Sequence, residues 1–451
     1  MLIPKQLNQR KKGNEMNPVK IGLLGLGTVG GGTATVLKRN AEEIARRAGR
    51  GIIVDYAATL ELDRATELGM SDLRITQDAF DVVNDPDISI VVELIGGYSP
   101  AKELVLQAIE NGKHVVTANK ALIAVHGNEI FAKAQEKGVM VAFEAAVAGG
   151  IPIIKALREG LAANKIEWLA GIINGTGNFI LTEMRDKGRD FDDVLAEAQA
   201  LGYAETDPTF DVEGIDAAHK LSILSSIAFG IPLQFEKTYT EGITKITRDD
   251  VIYASELGYN IKHLGIARKT EAGVEQRVHP TMIPKKRLIA NVDGVMNAVL
   301  VHGDAVGPTL YYGAGAGDEP TASAVVADII DVVRVLTTDP ENRVPHLAFQ
   351  PDALQDTPIL PIEAIETAYY LRMCAKNQVG VLAEVTKILA KSEISIEAFI
   401  QKEPESDDVE KVDIILLTHR VNEGNMNTAI EKIEALAVIC GEVVRIRVES
   451  L

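Results

Sequence analysis

Val19-Lys20-Ile21-Gly22-Leu23-Leu24-Gly25-Leu26-Gly27-Thr28-Val29-Gly30 is the stretch that decides the fold. Its first six residues form the apolar run that a buried parallel strand requires. The run stops at Gly25, and the glycines follow the spacing Gly-x-Gly-x-x-Gly. Gly25 allows a tight turn, Gly27 lets the backbone approach a pyrophosphate, and Gly30 permits close packing of helix on strand. A helix N-terminus then offers its N–H groups to the anion. Beyond the turn, Val29, Val36, Leu37, Ile44 and Ala45 recur at helical spacing, with Lys38, Arg39, Glu42, Glu43 and Arg46 opposite. Strand, glycine turn and amphipathic helix in this order predict a dinucleotide-binding unit.

Working outward, apolar runs predict strands at 51–60, 88–95, 114–117 and 139–143, with helices at 100–111 and 129–137 between them. Gly96-Gly97 ends the run at 88–95. The alternation predicts a Rossmann doubly wound parallel sheet over residues 18–147. From 148 the texture changes. A helix at 152–161 and apolar segments at 166–173, 264–268, 278–283 and 296–302 predict an α+β domain over 148–321, on a mixed or antiparallel sheet. A second glycine-rich stretch, 307–317, runs into an apolar helix at 321–335. That helix is expected to pack back on the first domain and complete it through 322–345. Pro351, Pro358 and Pro361 mark a linker over 346–366. Residues 367–451 then show strand 368–375, helix 380–391, strand 394–401, an acidic loop at 403–411, strand 412–418, helix 425–436 and strand 439–448. This is a ferredoxin-like βαββαβ order.

The chain has 451 residues, 46% hydrophobic and 24% charged, the mixture of ordinary globular domains. Lys and Arg number 46 against 64 Asp and Glu, for a net charge of −18. That balance disfavours a nucleic-acid or anionic-membrane role. No stretch reaches the ~20 apolar residues of a membrane helix. The first 17 residues carry Lys5, Arg10, Lys11 and Lys12 without an apolar core, so no secretory signal is read there. They read as an extension, either disordered or supplied by an upstream start, since Met16 stands just before the first patterned segment. Cys374 and Cys440 are the only cysteines. They read as core thiols, which fits a reducing, cytoplasmic setting.

Three motifs carry chemistry besides the glycine turn. Ala118-Asn119-Lys120 follows a strand end, where ligands of open α/β sheets bind. A lysine there can hold a carboxylate, polarise a carbonyl or relay a proton. Asn174-Gly175-Thr176-Gly177-Asn178-Phe179 offers small polar groups that can line a cleft. In the block from Gly202 to Lys220, Asp216 and Lys220 lie four apart on one helix face. Glu205, Asp207 and Asp211 there make a negative cluster suited to an ammonium group. His219 points away around the helix and reads as structural. For the ribose, Asp55, Glu61 and Asp63 favour a 2′-hydroxyl and Arg64 a 2′-phosphate, so the balance leans to NAD.

Together these motifs resemble homoserine dehydrogenase over roughly residues 18–345. The block from Asp211 to Lys220 is the most specific of them. Residues 367–451 resemble an ACT domain, on Val379-Gly380-Val381-Leu382-Ala383-Glu384-Val385 and Ile394-Ser395-Ile396. Gln378 departs from that module where a proline often stands. Leu60 departs where many NADP-using relatives carry a basic residue.

The resemblance implies reversible, NAD(P)H-dependent reduction of L-aspartate 4-semialdehyde to L-homoserine. Lys220 gives the proton, with Lys120 beside it, and Asp216 orients Lys220. Glu205 and Asp211 bind the substrate ammonium, and Tyr203, Gly175 and Thr176 line the pocket. The cofactor lies on Gly25, Leu26, Gly27, Thr28, Val29 and Gly30, with Ile95, Gly96 and Lys120, while Gly315 and Glu319 close on the nicotinamide side. Glu144 and the carbonyls of Val147, Gly149 and Ile151 hold sodium or potassium. The ACT-like module implies control by an amino acid, threonine above all, at Asn377, Gln378, Val379, Gly380, Val381 and Leu382. A homodimer or homotetramer is expected, as is a regulatory module that can be deleted without loss of turnover. Other ACT-bearing dehydrogenases place their glycine turn differently and lack the block from Asp211 to Lys220. A catalytically dead sensor is disfavoured by the retention of Lys120, Glu205, Asp216 and Lys220 together.

Overall fold

The computed structural model describes residues 17–402 and 410–451. The predicted N-terminal extension, and the acidic loop apart from Glu410 and Lys411, lie outside the described residues. The chain divides into two compact units. One comprises the residues up to Leu122, Glu129–Ala145 and Gly317–His346; the other comprises Ile123–Asn128, Ala146–Ala316 and Leu347–Leu451.

In the first unit, β1 (Val19–Leu24) leads through the glycine turn into α1 (Thr28–Arg39) and α2 (Ala41–Ala48). There follow β2 (Ile52–Ala58), α3 (Arg64–Glu67), β3 (Arg74–Thr76), α4 (Ala79–Asn84), β4 (Ile90–Glu93), α5 (Ala101–Glu110), β5 (His114–Thr117), α6 (Lys120–Glu136) and β6 (Val141–Ala142). The six strands are parallel in the order β3-β2-β1-β4-β5-β6. The order reverses between β1 and β4, which opens a crevice at their carboxyl ends. Leu24 pairs with Ala58 and with Glu93, so the glycine turn emerges beside the ends of both neighbours. A helix from far along the chain, α13 (Asp318–Val335), packs on α1, as expected. The two backbones approach so closely that a Cβ at Gly32 would stand 2.8 Å from the Asp318 carbonyl oxygen. Ile21, Leu23, Ala34, Val92, Val325 and Ile329 belong to the resulting core.

α6 begins nine residues before the expected start at 129. Asn119 explains the difference: its side-chain oxygen accepts the Leu122 N–H at 3.0 Å and caps the helix.

The second unit opens on a short helical stretch, α7 (Ile153–Lys155), that widens into a π turn over Ala156–Gly160. Next come β7 (Ile166–Ile172), α8 (Gly175–Lys187), α9 (Phe191–Ala200), α10 (Thr209–Val212), α11 (Ile215–Phe229), β8 (Tyr239–Thr240) and α12 (Arg248–Glu256). β9 (Tyr259–Lys269), β10 (Val274–Pro284), β11 (Met296–Gly303) and β12 (Gly307–Ala314) complete the middle segment. β9 and β10 run well beyond the predicted segments. The glycine-rich stretch after Gly307 is a strand along β11 as far as Ala314. The C-terminal module supplies β13 (Glu366–Lys376), α14 (Val381–Lys391), β14 (Ile396–Ile400), β15 (Lys411–Thr418), β16 (Val421–Asn422), α15 (Glu423–Glu434) and β17 (Val444–Val448). β17 is shorter than predicted, because Gly441 turns left-handed (φ 92°) ahead of it.

These strands form one continuous sheet, β12-β11-β7-β9-β10-β17-β13-β15-β14. The join is a short parallel pairing, Thr281 with Arg447 and Met282 with Val448. One face of the module's sheet lies on α14 and α15, with Tyr369, Leu371, Met373 and Leu416 buried. The alternate residues face the other way. Tyr370, Ile415, Leu417 and Ile446 pack with Leu181, Met184, Val251 and Ala254 of α8 and α12. The module is thereby a structural part of the second unit.

Candidate active site

Each glycine of the first turn has a distinct geometry. Gly25 is left-handed (φ 98°), and a Cβ there would meet the Leu94 carbonyl at 3.0 Å. A Cβ at Gly30 would stand 2.0 Å from the Gly25 carbonyl oxygen, so helix and turn meet only because Gly30 has none. Gly27, the N-cap of α1, has nothing within 4 Å of such an atom. The turn is closed on the protein side and open at Gly27, which fits a pyrophosphate on the helix N-terminus formed by Thr28 and Val29.

The ribose-reading assignment of Asp55 is corrected. β2 runs on to Ala58, so Asp55 sits mid-strand, paired with Arg74 at 2.6 Å and Lys20 at 3.5 Å. Arg64 lies beside the turn instead, its Nε donating to the Leu26 carbonyl at 3.3 Å and its Nη1 to Glu67 at 2.9 Å.

Across the crevice, the ends of β4 and β5 are welded by a buried carboxylate. Glu93 Oε1 accepts the N–H groups of Ile95 and Gly96 at 2.9 and 3.0 Å, and Oε2 accepts the Thr117 hydroxyl at 2.6 Å. Thr117 Oγ1 in turn accepts the Asn119 N–H at 3.0 Å, and Asn119 Nδ2 donates to the Gly97 carbonyl at 2.6 Å. Ile95, Gly96 and Lys120 are therefore held at one edge of this unit. Sequence reading missed Glu93. A lone acid inside an apolar strand, where burial demands hydrogen bonds, was its signal.

In the second unit, β7, α8 and α11 bring four predicted positions together. Asn174 caps α8 through its side-chain oxygen, which accepts the Gly177 N–H at 2.7 Å. Its amide donates to Asp211 at 2.7 Å and to Asp216 at 2.9 Å. The same Asp216 oxygen accepts Lys220 Nζ at 2.7 Å. Lys220 Nζ also donates to the Ile173 carbonyl at 2.8 Å. Asp216 and Lys220 retain 7% and 12% of side-chain exposure, so the pair is fixed but reachable. Gly214 (φ 82°) starts α11, and a Cβ there would strike His263 at 2.9 Å. His219 stacks between Phe210 and Phe235, as its structural reading requires.

Thr176 Oγ1 donates to the Tyr203 carbonyl at 2.6 Å, and Tyr203 lies edge-on to Phe179. Gly175 lies against Val295, where a Cβ would come within 2.7 Å of the carbonyl oxygen. Tyr203, Glu205 and Asp207 are exposed, whereas Asp211 is half-buried and Asp216 is buried. Ala148 and Gly149 are successive left-handed residues (φ 55° and 47°), and the Ile151 carbonyl accepts the Ile153 N–H at 2.7 Å. In the first unit, Glu144 is buried and its N–H donates to Asp328 at 2.8 Å. Glu319 pairs bidentately with Arg39 at 2.6 and 2.9 Å, a clamp between α13 and α1. Gly315 admits the Asn297 side chain, 2.1 Å from where a Cβ would be. At the proposed effector loop, Val379 is fully exposed, Gly380 is left-handed (φ 99°) and starts α14, and Val381 enters the core. Among the described residues no group of His, Cys, Asp and Glu is arranged to hold a metal ion, and no helix is long and apolar enough to cross a membrane.

Fold and site define an oxidoreductase built on a dinucleotide-binding sheet. Family profiles agree: homoserine dehydrogenase matches residues 152–330, the homoserine dehydrogenase NAD-binding domain 25–144, and the ACT domain 369–438. A homoserine dehydrogenase of Pseudomonas aeruginosa is 72% identical over 97% of this chain and 100% of its own. One from Neisseria gonorrhoeae is 58% identical over the same shares. The crystal structure of a homoserine dehydrogenase from Thiobacillus denitrificans superposes with a TM-score of 0.92 at 71% identity, covering 96% of this chain and 99% of that one. A hyperthermophilic archaeal homoserine dehydrogenase, solved with NADPH, superposes at 0.61 with 28% identity, over 70% of this chain and 98% of its own. The chain belongs to the homoserine dehydrogenase family.

Proposed function

We propose that the chain reduces L-aspartate 4-semialdehyde reversibly to L-homoserine with NAD(P)H, on the route to threonine, methionine and isoleucine. The observation that carries this reading is the Asn174–Asp216–Lys220 cluster. An ammonium has three N–H groups. Asp216 and the Ile173 carbonyl take two of them, at 2.7 and 2.8 Å. The third is left for the substrate oxygen. A nicotinamide dinucleotide held on Gly25 to Gly30 would supply the hydride that the aldehyde carbon takes. Charge then develops on the oxygen, where Lys220 stabilises it and delivers the proton, while Asp216 keeps the ammonium aimed. In the reverse direction the same lysine removes the hydroxyl proton.

Lys120 is assigned to the same reaction as a second cation, held at the start of α6. Glu205 and Asp211 are assigned to the substrate ammonium, with Tyr203, Gly175 and Thr176 as lining. Gly25 to Gly30, Ile95 and Gly96 are assigned to the dinucleotide, and Gly315 and Glu319 to its nicotinamide side. Arg39 already occupies the Glu319 carboxylate, so a role for Glu319 runs through that clamp. Glu144 with the Val147, Gly149 and Ile151 carbonyls is an all-oxygen donor set, which suits sodium or potassium. The ACT domain is assigned amino-acid control, with threonine as ligand at residues 377–382. A cytoplasmic homodimer or homotetramer completes the reading.

The test is direct. Purified protein with homoserine and NAD+ or NADP+ should develop absorbance at the reduced nicotinamide band. Flat traces with both cofactors would remove the reading, and threonine added to the active reaction tests the regulatory half.

A further inference from the structure

Two thiols in a chain of 451 residues meet in space. Cys374 lies near the end of β13, and Cys440 lies between α15 and β17. The Cys440 N–H donates to the Cys374 carbonyl at 2.8 Å, and the Lys376 N–H donates to the Val438 carbonyl at 2.8 Å. Ala375 and Ile439 form the antiparallel bridge between those bonds. One step along this ladder, Cys374 and Cys440 stand directly opposite with side chains on one face. Both are free and half-buried. Opposed ladder positions bring Cα atoms to ~4.5–5.5 Å, inside the ~4.4–6.8 Å that a disulfide spans.

We propose that Cys374 and Cys440 form a reversible dithiol–disulfide couple, oxidised by hydrogen peroxide or by a low-molecular-weight disulfide. With peroxide, the Cys440 sulfur attacks one oxygen and the O–O bond breaks. The departing hydroxide leaves as water with the thiol proton, and Cys440 becomes a sulfenic acid. The Cys374 sulfur then attacks the Cys440 sulfur, the S–O bond breaks and a second water leaves. Two thiols and one peroxide give one disulfide and two waters, each sulfur losing one electron. Burial first, then the Cys440 sulfur and the Asp413 carboxylate, hold the Cys374 thiol above its ordinary range, so either sulfur can be the first oxidised and the balance is the same.

The position gives the couple a consequence. Cys374 follows Tyr370 and Arg372 on the β13 face that meets α12, where Arg372 grips Asp250. The bond would pin residues 438–440 to the end of β13 and close a loop around α14, β14, β15 and α15. A loop of that length restricts the unfolded chain strongly. It also fixes the strand that feeds residues 377–382. An effect on amino-acid response rests on the reading of that loop given above, whereas formation of the bond does not.

The experiment uses the full chain, reduced and then treated with hydrogen peroxide or oxidised glutathione, alkylated and digested without reductant. The expected result is one intrachain peptide pair joined through Cys374 and Cys440, both thiols lost together and restored by dithiothreitol, with a higher thermal midpoint in the oxidised form. Cys374→Ser and Cys440→Ser should each lack the linked pair and the shift. Thiols that stay free, two independent glutathione adducts, or a link between chains would overturn the proposal. The wild-type readout decides it even if a serine variant folds poorly.

Discussion

Arg447, fully buried on the last strand of the ACT sheet, donates to Glu241 of the catalytic segment at 2.9 Å. Glu241 is tied further. Its carbonyl accepts His263 Nε2 at 2.9 Å, and its N–H donates to the Val278 carbonyl at 2.8 Å. His263 lies against Gly214, the first residue of the helix turn that carries Asp216 and Lys220. Ile243, two residues on, donates to the Val212 carbonyl at 2.8 Å. A short run of contacts therefore joins the C-terminal sheet to the start of α11. The Glu241 carboxyl is held below its usual range, the Arg447 charge outweighing burial.

Removing one side of this pair gives an ordered prediction. Arg447 also holds Glu423, through Nε at 2.7 Å and through Nη2, and Glu423 is 1% exposed. Stripping one partner from a buried pair costs about 3–5 kcal/mol, because the other charge stays buried. Glu423→Gln should sit at that upper end. Glu241→Gln should cost less, about 1–3 kcal/mol, since Glu423 still neutralises the arginine. It should also lower kcat at unchanged cofactor KM, through looser placement of α11. Urea midpoints and steady-state kinetics check both. Equal losses in the two variants, or unchanged kcat in Glu241→Gln, would break the path.

The shared sheet also revises the expectation that the C-terminal module can be deleted freely. Asp250, fully buried at the start of α12, accepts Arg372 Nε at 2.7 Å and Nη2 at 3.0 Å, and the Tyr370 hydroxyl at 3.1 Å. Deleting residues 346–451 strips those donors and bares the α8 and α12 core. The truncated chain is expected to aggregate or lose turnover, checked by size-exclusion and activity. Arg372→Met is the milder probe, leaving Asp250 with the tyrosine and its Thr247 capping box; it should cost about 2–4 kcal/mol. A soluble truncated chain with normal turnover would show that the pairing of β10 with β17 holds nothing essential.

Lys220→Met should lower kcat by about 10²–10⁴-fold, the usual worth of a positioned proton donor. Dinucleotide binding, carried by a separate unit, should persist in fluorescence titration. Asn174→Ala removes a helix cap and one hydrogen bond to each of two acids. Its kcat should fall less, roughly tenfold, with about 1 kcal/mol of lost stability. Near-normal turnover in Lys220→Met would refute the assigned donor.

Legibility followed the kind of signal each part leaves. The glycine turn was readable because three roles demand glycine at fixed spacing, and Gly25, Gly27 and Gly30 each meet their demand. Asp216 and Lys220 were readable because four residues is one helical turn. Asp55 misled because distance from the glycine turn was weighed over place in the strand: β2 runs to Ala58, so Asp55 lies inside the strand and not at its end. Glu93 hid in an apolar run, where a single acid carries no periodic signal. The joining of β10 to β17 was invisible: a parallel pairing of two residue pairs between distant segments leaves no local pattern.

His114 supplies the pH dependence. Its ring is buried in β5, and Nδ1 accepts the Met140 N–H at 2.9 Å, which requires the neutral ring. Burial, with help from the Arg343 charge, lowers its pKa from 6.5 to about 4. Between those values the unfolded chain binds a proton that the folded chain refuses. Stability from this group is therefore complete above about pH 6.5 and falls as pH drops toward about 4, by roughly 3 kcal/mol in all. Buried His263 and His279 are lowered too and add to the same slope. His114→Asn keeps an acceptor for Met140 and cannot take up the proton. Urea unfolding at neutral pH and at about pH 4.5 should show a smaller acid loss in His114→Asn than in the wild type, by up to about 2 kcal/mol. Identical acid losses in both proteins would mean that His114 titrates normally and that its burial costs the charged form nothing.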